Sequence, residues 1–135
     1  MTAPDTRAGI VAAAHQLSAA FAARDLGAAL DCFVTGDDIG YTGSEHAEAA
    51  AGRAAVTRLL ASVFARDEAY SWQVTGATVR EYGEFAYLLA EADGLARADD
   101  GAVTPFPYRI SGVVQRAGGR WRWRHCHGCE PTGGT

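Results

Sequence analysis

The segment Arg120 to Cys129, Arg-Trp-Arg-Trp-Arg-His-Cys-His-Gly-Cys, is the richest in reactive side chains. An imidazole held neutral by an apolar wall near an arginine can exchange a proton close to neutral pH, so His127 is a candidate acid or base. The alternative is a core histidine satisfied by its neighbours. If the segment is extended, strict alternation puts Trp121, Trp123, His125, His127 and Cys129 on one face and Arg122, Arg124, Cys126 and Gly128 on the other. Unpaired guanidiniums are costly to bury, so the tryptophan face is expected to turn inward. The residue types around His125 also suit zinc. On a strand, however, Cys126 and Cys129 face opposite ways, and no second Cys/His pair lies nearby in sequence, so no metal is expected.

Composition removes other chemistries. The 135 residues contain no lysine, and all 12 basic residues are arginine. Schiff-base catalysis, pyridoxal phosphate anchoring and a lysine-ended phosphate loop are therefore excluded, and no cofactor is expected. A net charge of −4 offers no field for a phosphate backbone, so nucleic acid is not an expected partner. The odd set Cys32, Cys126 and Cys129 does not suggest a disulfide framework. The Ala-rich start is interrupted by Asp5, Arg7, His15 and Arg24, unlike a signal peptide, and no apolar run approaches a membrane span. A single cytoplasmic domain over 1–135 is expected, with 131–135 as a flexible tail.

The elements that must position these groups follow from periodicity. Ile10, Ala14, Leu17 and Phe21 mark one face of a first helix. Asp25 can cap a second from Leu26 to Phe33, and Gly52 to Arg66 has helical spacing again. A short extended piece, Asp38 to Thr42, carries Ile39 and Tyr41 on one side. Beyond Asp67, aromatic and β-branched residues predict four strands, Ala69–Glu81, Phe85–Ala96, Thr104–Arg116 and Arg120–Cys126, joined by tight glycine turns. By alternation Arg109, Ser111 and Val113 share a face, as do Tyr87, Leu89 and Glu91. The loop from Gly43 to Ala51 could bring Glu45 or Glu48 to a ligand, or be exposed approach to the next helix. Helices followed by a meander give an α+β order.

Three strings sharpen this reading. Gly119 to Cys129 is similar to a Gly-x-Trp-(x)5-His-x-Ser ending, with Trp121 and His127 in register and Cys129 in place of Ser. Arg109-Ile110-Ser111 is similar to Arg-x-Thr/Ser. Ile39 to Gly52 is similar, with looser spacing, to Ile-Gly-x-x-x-x-x-Glu-x-x-x-Gly. With the element order, they make the whole chain resemble the SnoaL-like branch of the nuclear transport factor 2-like superfamily. That resemblance implies a curved antiparallel sheet wrapped around three helices as a cone with an internal pocket. It implies Arg109 inside the cone, meeting Glu45 or Glu91 in an ion pair, or a ligand carboxylate or enolate.

The expected function is therefore small-molecule binding, with isomerisation, cyclisation or dehydration of a small organic acid or enolisable aromatic substrate as its enzymatic form. His127 would be acid or base, Arg109 the electrostatic stabiliser and Tyr41 a hydrogen-bond donor. Trp72, Tyr87, Trp123, His125, Ser111 and Glu45 would contact substrate. A homodimer through the outer sheet face is expected. The rival is a non-catalytic binding or association module, with the cone filled by Trp123, Phe64 and Phe106. A pocket of about 300 Å³ or more separates the two.

Overall fold

The computed structural model describes residues 3–132; of the expected tail, 133–135 lie outside the described residues. Helix α1 spans Pro4–Ala23. Proline in its first turn needs no N–H partner, and Ile10, Ala14, Leu17 and Phe21 bury the predicted face. Arg24, in the left-handed conformation with φ 50°, ends it. Asp25 caps α2, Leu26–Asp31, accepting from the Ala28 N–H at 3.0 Å. Helix α3 is Arg53–Phe64, and the Asp37 carboxylate receives the Arg53 N–H at 2.9 Å. Asp37 is thus a helix cap and Asp38 is exposed near Arg124, so neither reaches the interior.

Six strands form one open, curved sheet in the order β2-β1-β6-β5-β4-β3. They are β1 Gly40–Thr42, β2 Ala49–Ala51, β3 Glu68–Tyr82, β4 Phe85–Ala98, β5 Val103–Ala117 and β6 Arg120–Cys129. All neighbours are antiparallel except β1 and β6, which run parallel. The last three residues of the Gly43–Ala51 loop are thus a strand, held by pairing of Ala49–Ala51 with Gly40–Thr42.

Alternation in β4 is strict: Ala86, Leu88, Ala90, Ala92 and Ala96 are buried while Tyr87, Leu89, Glu91 and Leu95 face out. The inner face closes on α1 and α3 through Ile10, Leu17, Leu60, Leu88, Ile110 and Trp123. The β3 edge, which would otherwise leave backbone groups free, is covered by α1. Ser18 Oγ accepts the Trp72 N–H at 2.7 Å and donates to the Trp72 carbonyl at 2.9 Å. His15 Nε2 accepts the Val74 N–H at 3.1 Å. No helix among the described residues is long and apolar enough to cross a membrane.

One irregularity decides which side chains face inward. Val113 pairs with His125 and Val114 with Trp123, leaving Arg124 as an extra residue, a bulge. Before it, Trp121 and Trp123 are inward; after it the phase reverses, so Cys126 and Gly128 are buried and His125, His127 and Cys129 turn to the outer face.

Candidate functional site

At one end of the inner face, between the sheet, α1 and α3, lies a cavity of about 380 Å³ that opens to solvent. Its walls are aromatic: Phe21 from α1, Tyr41 from β1, Tyr70 and Trp72 from β3, and Phe106 and Tyr108 from β5. The rings hold one another. Trp72 lies 5.0 Å from both Phe21 and Tyr108, and Phe106 meets Tyr108 edge-on at 5.8 Å. Two glycines make this possible. A Cβ on Gly94 would overlap the Phe106 ring, and one on Gly128 would overlap the Tyr108 hydroxyl.

The phenols of Tyr41 and Tyr108 are the deep polar groups. Burial is the largest influence on each, and both are pushed far above the ordinary phenol range. They remain protonated at any physiological pH and are hydrogen-bonded to each other, Tyr108 donating to Tyr41, so the pair has the Tyr41 O–H left to offer a ligand. At the mouth, Glu48 is almost fully buried, its Oε1 accepting the Glu45 N–H at 2.9 Å and its Oε2 accepting from Arg66 at 3.0 Å. Tyr70 donates to Glu68 at 2.8 Å, and its bond with Arg66 is the main cause raising the Arg66 guanidinium. Glu45, Glu68 and Glu130 complete the rim.

Tyr41, Trp72 and Glu45 line the cavity, whereas Trp123 is wholly buried in the core, donating Nε1–H to the Ala13 carbonyl at 3.2 Å. The other expected site residues sit elsewhere. Simple alternation turns His127 and His125 inward; the Arg124 bulge instead puts them on the outer face, opposite Ser111 and Val113. Burial, then the neighbouring His127, lowers the His125 imidazole below its usual range. Arg109 and Ser111 are on that face too, because Ile110 between them is fully buried. There Arg109 pairs with Glu91 across the strands on the exposed face, Nη2 to Glu91 Oε1 at 2.6 Å and Nε to the same oxygen at 2.7 Å. Tyr87 also faces out, 6.4 Å from Tyr82. The set His127, Arg109 and Tyr41 is thus divided by the sheet, with only Tyr41 at the cavity.

Tyr108, Arg66 and Glu130 are site residues that sequence reasoning misses. Placing Arg109 inside the cone turns its neighbour Tyr108 outward; with Arg109 on the outer face, Tyr108 is the inward residue, opposite a strand that carries glycine at 128. Among the described residues no three His, Cys, Asp or Glu side chains converge as metal ligands would. Cys126 is fully buried, and burial also pushes the Cys32 thiol up to about 11.

Helices laid inside a curved, open sheet, with a hollow at one end, define the nuclear transport factor 2-like class of fold. The chain belongs to the SnoaL-like domain family, which matches residues 10–132. Among curated proteins none matches the sequence. Solved structures of the same fold include a protein provisionally named a dehydratase of the nuclear transport factor 2-like family from Streptomyces avermitilis. It is 17% identical, with 96% of this chain and 100% of that chain covered and a TM-score of 0.81. A superfamily protein from Salmonella enterica is 13% identical over 96% and 93% of the two chains, TM-score 0.78. One from Xanthomonas campestris, provisionally named a calcium/calmodulin-dependent protein kinase II association domain, is 15% identical over 97% and 89%, TM-score 0.73. At these identities the likeness establishes the fold and carries no activity across.

Proposed function

We propose that the protein binds a small, flat, partly aromatic molecule in the 380 Å³ cavity and holds one of its oxygens on the Tyr41 O–H of the Tyr41–Tyr108 pair. The observation that carries this reading is a hollow of ligand size walled by aromatic rings, with two buried, permanently protonated phenols inside it. Such donors stabilise an oxygen most when it gains negative charge, as a ketone does on losing a proton from the adjacent carbon. The chemistry that fits is therefore cofactor-free enolisation, shared by isomerisation, cyclisation and dehydration, with Glu48 as the buried carboxylate at the same cavity. The test uses 2-tetralone, an enolisable bicyclic ketone, titrated by calorimetry and followed by NMR for deuterium uptake beside its carbonyl. Tyr41→Phe and Tyr108→Phe should each weaken binding about tenfold, the net worth of one hydrogen bond in a dry site. Unchanged affinity in the double variant would remove the reading.

The outer face supports a homodimer. Phe85, Tyr87, Leu89 and Val113 lie 37–47% exposed on adjacent strands, a contiguous apolar surface of the kind that associates. Leu89, at 47%, is the most exposed of the four. By sedimentation equilibrium the protein should have twice the 14.2 kDa chain mass, and Leu89→Arg should reduce it to the chain mass. A wild-type monomer at high concentration would exclude the dimer.

A further inference from the structure

From the charge at the cavity mouth we infer that the natural ligand is an organic cation, a molecule whose aromatic part lies among the rings and whose protonated or alkylated amine points to the rim. The inference rests on the cavity being a ligand site, and it replaces the organic acid expected from the sequence. Four carboxylates, on Glu45, Glu48, Glu68 and Glu130, line the opening against a single guanidinium, Arg66. That guanidinium is already engaged, 3.0 Å from Glu48 and 3.7 Å from Glu45, and lies over the Tyr70 ring at 6.0 Å.

An incoming carboxylate would have to take Arg66 from the almost buried Glu48, leaving that charge without its partner, and would face three further negative groups. An ammonium meets the opposite field and needs no rearrangement. Below the rim, Trp72 and Phe106 line the hollow with aromatic rings, whose faces attract cations once water is excluded. Arg109, the arginine expected from the sequence to meet an anion, is on the far side of the sheet and paired with Glu91.

Three compounds of nearly equal shape and different charge test this: 3-phenylpropylamine, 3-phenylpropanol and 3-phenylpropanoate. Each is titrated by calorimetry against the full chain at low and high salt. The amine should bind at least about tenfold more tightly than the propanoate, with the alcohol between them, and salt should narrow the gap. Neutralising the rim with Glu45→Gln, Glu68→Gln and Glu130→Gln together should also narrow it, by weakening the amine and tightening the propanoate. Equal or tighter binding of the propanoate, or a gap indifferent to the triple variant, overturns the inference. If 2-tetralone or the alcohol binds and the amine has no advantage, the cation assignment falls and the cavity reading stands. If none of the four compounds binds, both fall.

Discussion

Gly112→Ala is expected to lower stability by about 3 kcal/mol or more, the upper end for overpacking against rigid neighbours. Gly112 has φ +149°, outside the ordinary range of residues with a side chain. A Cβ there would overlap the His125 carbonyl oxygen and come within 2.9 Å of its carbon and 3.2 Å of Cys126 Cα. All three are backbone atoms of the neighbouring strand, so no side chain can swing aside. Relief requires β5 and β6 to part at the Gly112–Cys126 pair, beside the bulge that turns the end of β6 over. Urea unfolding should show a lower midpoint with an unchanged slope. Gly83→Ala is the control: φ is +63° in a hairpin with nothing within 4 Å of the added carbon, so only conformational strain of about 1 kcal/mol applies. A Gly112→Ala protein no less stable than Gly83→Ala would show that the strand pair does not depend on this contact.

That bulge also marks where reading the residues stops being sufficient. Period-two alternation is a reliable guide while every residue of a strand is paired, as in β4, where the buried and exposed sets follow it from Phe85 to Arg97. In β6 the same rule is correct for Trp121 and Trp123 and then inverted for His125, His127 and Cys129, because one unpaired residue, Arg124, shifts the phase. Nothing in the local string marks the shift. Its trace lies on the facing strand, in a glycine at 112 that the strand would not otherwise need. The strand β2 was hidden for a different reason: three alanines carry little β preference, and only pairing with β1 makes them extended. Helices α1 and α3 were legible because their buried faces alone account for the spacing of apolar residues. The cavity was partly legible through Tyr41, Trp72 and Glu45. Its deeper half was not, since it depends on Tyr108 and Gly128 meeting across two strands whose register the bulge sets.

Gly128→Ala should act on that meeting and nearly eliminate ligand binding, with a stability loss of about 1–3 kcal/mol. The added carbon would occupy the place of the Tyr108 hydroxyl and approach Cζ to 2.7 Å. The ring has no room to slide sideways, being 5.0 Å from Trp72 and 5.8 Å from Phe106 in ring-centre distance. It must rotate into the hollow, filling space meant for ligand and breaking the Tyr41–Tyr108 pair. A purely structural defect would behave differently in combination. With Tyr108→Leu, which removes the ring, the methyl group added at position 128 has a free site, so Gly128→Ala should cost little in that background. The double variant should therefore be more stable than the sum of the two single losses predicts, by about 1 kcal/mol or more, as coupled neighbours are. It should still bind 2-tetralone poorly, because the phenol is gone. Additive losses would mean that the glycine serves the backbone of β6 and not the tyrosine. Full binding by the Gly128→Ala protein would mean that ligand does not use the Tyr108 end of the cavity.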